Sequence, residues 1–330
     1  MRHALSLFFA AAFAAPLLGQ RAHTRPDPSA GPTDVHASVF VIDIKRIEDV
    51  DLTFTADFTV QLRWHDPRLA GADTPSGTPR AIELGDAWHP FLQIINPRDL
   101  STRYPERLIA DDAGQCTYFQ RFIGTMSFPL DLRDFPFDSQ ELSFELVAAF
   151  HTANEVNFVI DEATTGRSDE FTIVDWEVGP AEFVIEPIQL RKGGLNMAGV
   201  RAVFGARRYA YYFVLKVIVP LVIIAAMSWI VFLIDPRQFG PQLGLGATSV
   251  LTLVAYRFML GNLVPRVSYF TRLDIFILGA TVLVFMALIE AVVTGSLGGR
   301  DQLELARRID RVSRIVFPIA FVGLIAYAFA

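Results

Sequence analysis

Hydrophobic residues follow two different periods in the two parts of the chain. Between residues 35 and 208, short runs alternate between apolar and polar residues, with turn residues between them. In Phe54–Trp64 every second residue is apolar, which is typical of a half-buried β-strand. Further strands are predicted at Ser38–Ile44, Thr117–Met126, Glu141–Val147, Asn157–Ile160 and Glu182–Ile188. Regular short strands predict an all-β, immunoglobulin-like sandwich over residues 35–208.

Long apolar segments begin after Tyr209 and predict a membrane domain over residues 209–330. A helix of about 20 residues crosses a hydrocarbon core of about 30 Å. Pro220 lies inside the first segment, where it would kink the helix and free a carbonyl that a neighbouring helix must satisfy. Four spans are predicted, at about 212–234, 243–264, 273–293 and 315–329.

The N-terminus has the pattern of a signal peptide at residues 1–20, followed by a proline-rich linker at residues 21–34. An exported N-terminus and four spans place both termini outside and put the third connection, residues 294–314, in the cytoplasm. That connection carries five arginines, which agrees with the positive-inside rule. We therefore expect a multi-pass inner-membrane protein whose N-terminal domain lies in the periplasm or outside the cell.

The second predicted span carries an unusual stripe. Residues three or four positions apart share one helix face, and this face is small or polar at one end, apolar in the middle and polar at the other end. The stripe consists of Gly244, Thr248, Leu251, Ala255, Phe258 and Asn262. A ring of such helices would enclose a narrow wet path with an apolar constriction. The alternative is that the small residues form a helix-packing face.

Composition excludes several function classes. The hydrophobic fraction is 52%, and a net charge of -6 without a basic cluster argues against nucleic-acid binding. The single cysteine, Cys116, cannot form an intrachain disulfide or a zinc site built on cysteine pairs. The chain has no nucleotide-binding, metalloprotease or hydrolase motif. We therefore expect neither an enzyme nor a bound metal or cofactor.

Several motifs resemble the pentameric ligand-gated ion channels, the Cys-loop receptor superfamily. Phe128–Gln140 (FPLDLRDFPFDSQ) is similar to the signature loop of that family, without its two cysteines, as in bacterial members. Trp64–Leu69 (WHDPRL) and Asp86–Asn96 (DAWHPFLQIIN) resemble extracellular segments. Thr252–Tyr256 (TLVAY) and Asn262–Tyr269 (NLVPRVSY) resemble the second membrane helix and its outer loop.

The resemblance implies a homopentamer in which each chain has four identical subunits as partners in the lipid bilayer. The second helix would line a pore for inorganic ions, with Leu251 and Phe258 as gates. The family's charged selectivity ring is absent, since Gln242 stands near where anion channels carry arginine. Ion selectivity therefore stays open.

The resemblance also implies residues that couple the two domains. Asp49, Asp138 and Arg208 match positions that form an ion-pair cluster at the domain boundary. The outer loop would receive the motion through Pro265, Ser268 and Tyr269.

The agonist site is implied between neighbouring subunits. Its expected residues are Trp88, Asn96, Phe150, Arg191 and Arg201 of one subunit, and Thr59 and Tyr118 of the next. The capping loop has no aromatic residue from Ile185 to Val203, so an amine agonist is disfavoured relative to a small anionic ligand or protons. A membrane-tethered periplasmic binding module without conduction is the alternative function.

Overall fold

The computed structural model describes residues 24–71, 78–261, 267–299 and 302–329. These residues form two compact units. The first contains the described residues up to Leu130, together with Glu141–Val174 and Val178–Ala206. The second contains Asp131–Gln140, Asp175–Glu177 and the residues from Arg207 onward.

The first unit is a β-sandwich of two sheets. The strands are β1 Thr33–Glu48, β2 Thr53–His65, β3 Arg80–Glu83, β4 Leu92–Ile94, β5 Pro97–Thr102, β6 Arg107–Ala110, β7 Gln115–Ser127, β8 Ser139–Thr152, β9 Val156–Ile160, β10 Gly166–Arg167, β11 Trp176–Ile185 and β12 Met197–Arg208. One sheet has eight strands in the order β10-β1-β2-β7-β6-β3, with β5 on β7 and β9 on β1, and the other has the order β11-β12-β8-β4.

The core of the sandwich follows from the period-2 pattern of β2. Phe54, Phe58 and Leu62 are all buried, because alternate side chains of a strand point to the same face. β2 pairs with β7 without a bulge from Thr53 to His65, so this whole inward face keeps its register. The Phe58 ring stacks on Phe144 of the second sheet, with 4.4 Å between ring centroids.

The second unit contains four helices long and apolar enough to cross a membrane. They are α1 Tyr211–Leu233, α2 Phe239–Leu260, α3 Arg272–Gly298 and α4 Leu303–Phe329. α1 is not regular, since Val214–Ile218 is a π-helical turn and Ile230–Leu233 a 3-10 turn.

The predicted third connection at residues 294–314 is wrong, because helix occupies most of it. α3 continues to Gly298 and α4 begins at Leu303, before the expected start at residue 315. Four of its arginines, Arg307, Arg308, Arg311 and Arg314, lie instead on α4, and Arg300 lies outside the described residues. A helix can extend past the hydrocarbon core, and its charged end is then mistaken for a loop when only apolar runs are counted.

Packing within the helical unit distinguishes the two sides of α2. Its buried residues are Gln242, Gly246, Ser249, Leu253 and Leu260. A Cβ atom at Gly246 would lie 2.9 Å from Leu288 on α3, so glycine permits the close approach of these two helices. The side of α2 that packs on the bundle is therefore separate from the stripe noted in the sequence.

Candidate functional site

One large cavity lies in the sandwich between the end of β8 and the β11–β12 loop. It measures about 840 Å³. Its lining residues include Phe150, His151, Glu155, Arg191 and Leu195. The cavity therefore combines an apolar wall with one cation, one carboxylate and one imidazole.

The two charged residues of this cavity have different local constraints. Glu155 accepts hydrogen bonds from the Thr152 backbone N–H (2.8 Å) and hydroxyl (3.0 Å). The backbone bond is the main reason that the pKa of Glu155 is lowered, so this carboxyl stays ionised. Arg191 makes no ion pair within the described residues, and its charge is available to a ligand.

His151 is held in its neutral form by an indole behind the cavity wall. The Trp88 Nε1–H donates to Nε2 of His151 at 3.1 Å, so that nitrogen must be unprotonated. Burial lowers the pKa of His151, which acts in the same direction, although Glu155 opposes it. Trp88 is buried and stacks edge-on against Trp64, so it supports the cavity through His151.

A second cavity of about 250 Å³ lies on the other side of Phe150. Its lining includes Tyr118, His89, Phe91 and Glu106. Burial raises the pKa of Tyr118 to about 12, so its hydroxyl keeps its proton. Phe150 and its neighbour Ala149 line both cavities, and the Phe150 side chain is largely exposed.

Three other expected ligand residues have different surroundings. Arg201 faces Glu141 at 3.3 Å and Glu186 at 3.8 Å, so its charge is already engaged. Asn96 uses its amide to donate to the Ser127 and Ser143 carbonyls. Thr59 lies on β2, where its hydroxyl donates to the Phe40 carbonyl at 3.4 Å.

A buried ion pair forms the centre of the segment of the second unit that contains the FPFD sequence. The Arg208 guanidinium donates to Oδ1 and Oδ2 of Asp138 at 2.7 and 3.2 Å. Only 4% of the Arg208 side chain and 1% of the Asp138 side chain are exposed. The guanidinium also lies 4.1 Å from the Trp176 ring centroid, and Gln140 donates to Asp138 at 2.7 Å. The ion pair between Asp138 and Arg208 that the family resemblance implied is therefore present in the structure.

The same segment also contacts the beginning of α3. Tyr269 accepts at its hydroxyl from the Leu132 backbone N–H at 2.9 Å, and Arg133 stacks over its ring at 5.0 Å. Arg272, the first residue of α3, bonds Asp134 at 2.7 Å. The residues after FPLD thus connect directly to the loop that precedes α3.

The other residues expected to couple the two domains are Ser268, Asp49 and Pro265. Ser268 is exposed. Asp49 lies in the turn after β1, in the first unit, and its coupling role stays a prediction. Pro265 and Asn262, which is an expected pore-lining residue, lie outside the described residues.

The stripe on α2 is exposed in the chain. Gly244, Thr248 and Ala255 are exposed, as are 70% of Leu251 and 80% of Phe258. Gln242, by contrast, is fully buried and donates to the Ile234 carbonyl at 3.2 Å. The residue that stands where anion channels carry arginine therefore does not belong to the exposed stripe.

Comparison with known proteins agrees with this arrangement of sandwich, FPFD segment and four helices. The model of the neurotransmitter-gated ion-channel ligand binding domain matches residues 15–186, and that of the neurotransmitter-gated ion-channel transmembrane region matches residues 217–302. The chain belongs to the neurotransmitter-gated ion-channel family. The predicted sandwich, four-helix membrane domain and extracellular N-terminal domain are thereby confirmed.

Two relatives illustrate the range of this family. The chain is 27% identical over 311 residues to gamma-aminobutyric acid receptor subunit beta-4 of Gallus gallus, covering 90% of this chain and 62% of that subunit. It is 24% identical over 311 residues to a proton-gated ion channel of Gloeobacter violaceus, covering 94% of this chain and 86% of the relative. The chain thus spans less than two thirds of the animal subunit.

A contact between α1 and α2 was not expected from the family motifs. The Tyr256 hydroxyl lies 3.1 Å from the Lys216 carbonyl and 2.8 Å from the Val217 carbonyl, within the π-helical turn. Pro220 has no N–H, so it cannot bond to the carbonyl four residues earlier, that of Lys216. The sequence did predict a freed carbonyl at this place, but not that Tyr256 would satisfy it.

Two further polar residues of the sandwich were missed. Asp57 is buried and accepts from Arg121 at 2.8 and 2.9 Å and from Lys45 at 3.2 Å. The Arg121 hydrogen bond is the main cause of the lowered pKa of Asp57. Gln120, also buried, accepts from the Tyr104 N–H and donates to the Tyr104 carbonyl. A polar residue at an inward strand position was the available signal for Gln120.

Proposed function

We propose that five copies of this chain form a ligand-gated ion channel whose pore is lined by the exposed stripe of α2. The observation that carries this proposal is the division of α2 into two sides. Gly246 and Ser249 pack on the bundle, so the stripe is not needed for packing within the chain. Glycine and threonine bury little apolar surface against lipid, whereas they can line a narrow, water-filled path.

Leu251 forms the apolar constriction in this proposal. Five leucine side chains around an axis exclude water from a narrow path, and serine hydroxyls would hydrate it. Leu251→Ser should therefore raise the resting conductance and the apparent agonist sensitivity of channels in a planar bilayer. Val250→Ser is the matched control, because it removes an apolar group at the same depth but points about 100° away around the helix.

The comparison of these two variants also separates the channel from a membrane-tethered binding module. A binding module would give no unitary currents with the wild type or with either variant. Equal effects of Leu251→Ser and Val250→Ser would refute the assignment of the pore face.

We further propose that the agonist is a small zwitterion bound in the larger cavity. Arg191 supplies a cation for a carboxylate, and Glu155 supplies an ionised carboxylate for an ammonium group. Phe150 offers an aromatic face beside them. The chicken relative is a receptor subunit for gamma-aminobutyric acid, a compound that carries both charges.

Protons are the second candidate agonist, because one observation favours them. The Trp88–His151 hydrogen bond exists only while Nε2 is unprotonated, so acid would break it. The bacterial relative is a proton-gated ion channel. Acidification would then act on the same wall that receives a ligand.

One experiment distinguishes the two agonists. Currents are recorded at fixed voltage during pH steps from about 8 to about 4, a range that covers unperturbed histidine and carboxyl groups, and then at constant pH with linear amino acids of increasing length. A current that requires an amino acid and is weakened by Arg191→Gln supports the zwitterion. A pH-activated current that survives Arg191→Gln supports protons.

A further inference from the structure

The N-terminal segment of the described chain, residues 24–32, folds back onto the sandwich beside the larger cavity. Pro26 in this segment is buried. The segment leads into Thr33, the first residue of β1, which pairs with Val156 at the start of β9. The cavity residue Glu155 comes directly before that strand. The channel function proposed above assigns no role to the segment.

Arg25 connects this segment to the cavity wall. Its Nη1 donates to the Glu155 carbonyl at 2.8 Å and lies 3.3 Å from the Thr33 hydroxyl. The same nitrogen contacts the Gly31 carbonyl, and Nη2 donates to the Pro28 carbonyl at 3.3 Å. One guanidinium group therefore closes the N-terminal segment on itself and attaches it to Glu155.

The Glu155 carbonyl also has a second donor. The Thr33 N–H donates to it at 2.8 Å. A carbonyl oxygen has two lone pairs and can accept both bonds. Removing the Arg25 guanidinium would leave the backbone bond in place, so the strands should remain paired. The loss would be confined to the charge-assisted bond, which is the stronger kind.

The turn that Arg25 holds, Thr152–Glu155, connects two sides of the cavity. On one side it carries the Glu155 carboxylate, which Thr152 orients. On the other side the Ala153 N–H donates to the Asn196 carbonyl at 2.9 Å. Asn196 belongs to the β11–β12 loop, which also carries Arg191. A shift of this turn would therefore change the distance between the two charged groups proposed to bind the agonist.

The charge of Arg25 also acts on the cavity wall. Its hydrogen bonds within the described chain go to uncharged oxygen atoms, so no carboxylate neutralises it there. Burial is the main reason that the pKa of His151 is lowered, and Arg25 lowers it further, whereas Glu155 opposes both. The other charged residue among the described lining is Arg191. Arg25 thus favours the neutral imidazole.

We propose that Arg25 is a positioning residue of the agonist site, and this proposal rests on the zwitterion site described above. Arg25 does not line the cavity, so it acts through the Thr152–Glu155 turn. Side chains that bind a ligand must be held within about 0.5 Å of their productive geometry by the contacts behind them. Arg25 supplies such a contact and keeps the Glu155 carboxylate facing the ammonium group of the agonist.

The test uses the full chain, purified in detergent, as wild type and as three variants. Arg25→Met removes the charge and the donors but keeps an apolar stem. Arg25→Lys keeps the charge and N–H donors. Arg80→Met is the matched control, because Arg80 is also half-buried and donates to a backbone carbonyl, that of Leu69 at 3.1 Å, but does not line the cavity. Thermal unfolding of each protein measures any loss of stability.

The first measurement needs no agonist. The fluorescence of Trp88 is followed against pH, because protonation of His151 removes the acceptor of the Trp88 N–H. Trp88→Phe identifies the part of the signal that comes from this residue. Arg25→Met should move the midpoint to higher pH, because the Arg25 charge lowers the pKa of His151. Arg25→Lys and Arg80→Met should leave the midpoint unchanged.

An unchanged midpoint in Arg25→Met would overturn the proposal, since a contact that only maintains the fold would alter the unfolding temperature and not this midpoint. If Arg25→Met does not fold, Arg25→Gln takes its place. It keeps an N–H donor and loses the charge, so it should show the same upward shift.

The second measurement is the affinity for gamma-aminobutyric acid, by titration calorimetry. Arg25→Met should weaken binding about tenfold, the equivalent of about 1.4 kcal/mol. Arg25→Lys should restore most of the affinity, and Arg80→Met should not change it. Equal losses in Arg25→Met and Arg80→Met would refute the positioning role.

Wild-type protein that binds no gamma-aminobutyric acid would refute the zwitterion agonist rather than the role of Arg25. Hydrogen exchange at the Ala153 amide then decides that role, because this amide reports the hold on the turn. Faster exchange in Arg25→Met alone supports positioning of the turn. The same exchange rate in all four proteins overturns it.

Discussion

Breaking the Arg208–Asp138 pair tests whether the FPFD segment acts as a gating element. Arg208→Met removes the guanidinium while keeping most of the side-chain length, and Asp138→Asn removes the negative charge with little change of shape. Each substitution leaves the other charged group buried without its ionic partner, because only 4% of the Arg208 side chain and 1% of the Asp138 side chain are exposed. The double variant leaves neither charge.

The magnitude follows from this burial. Removing one partner of a buried ion pair costs about 3–5 kcal/mol, because the remaining charge is uncompensated. Removing both charged groups should cost no more than removing one, so the effects of the two single substitutions do not add. The coupling energy in a double-mutant cycle should therefore be on the order of 3 kcal/mol. Stacking on Trp176 still stabilises Arg208 when Asp138 is changed, and the Gln140 hydrogen bond still stabilises Asp138 when Arg208 is changed. Both contacts reduce the coupling energy, but about 1 kcal/mol or more should remain.

The assay is the agonist concentration dependence of macroscopic currents for the wild type, the two single variants and the double variant. Arg133 and Asp131 provide a matched control in the same segment, with 2.6 Å between their charged atoms and 68% and 61% of the side chains exposed. Exposed pairs contribute about 0–1 kcal/mol, so their cycle should be close to additive. The expected contrast is strong coupling for the buried pair and weak coupling for the exposed one.

Strictly additive gating energies for Arg208 and Asp138 would refute the coupling role. Thermal unfolding of the same four proteins separates folding from gating. Coupling that appears in the unfolding temperature but not in the current would show a contact that only maintains the fold.

Two further predictions concern single hydrogen bonds. Tyr256→Phe removes the hydroxyl that bonds the Lys216 and Val217 carbonyls, of which Pro220 frees the former, so the open–closed equilibrium should shift by about 1–2 kcal/mol. In a Pro220→Ala background the restored N–H should make the shift smaller, and equal shifts in both backgrounds would contradict this account. His151→Gln keeps a side-chain acceptor for Trp88 but cannot titrate. Because the pKa of His151 is lowered, the wild-type sandwich should lose stability as pH falls from about 6.5 towards that lower pKa, and His151→Gln should lose this part of the pH dependence in thermal unfolding.

The sequence predicted the features that depend on long periodic patterns. The alternation in Phe54–Trp64 identified the inward face of β2, and the spacing of Leu251 and Phe258 identified the exposed side of α2. Both patterns extend over several turns or residue pairs, so tertiary contacts do not reverse them. The Arg208–Asp138 contact came from the family motif, because nothing in the local sequence links residues so far apart.

Other features depend on contacts that only the fold creates. The strands β3 to β6 are short and partly polar, so their pattern is too brief to identify. His151 becomes a cavity wall because Trp88, distant in sequence, approaches it. The start of α4 was missed because its first turns carry charged residues, which a search for apolar runs leaves out.

The division of the chain into units has a consequence for biosynthesis. Segments Asp131–Gln140 and Asp175–Glu177 are synthesised before any membrane helix, yet they belong to the helical unit. Phe135 is fully buried there and packs on Phe213 of α1, with 4.7 Å between ring centroids. During export, these segments must therefore remain without their partners until Arg208 and α1 have been translated. A truncated protein that ends before Tyr209 would lack Phe213 and expose the Phe135 ring, so these two segments complete their packing only after α1 has been made.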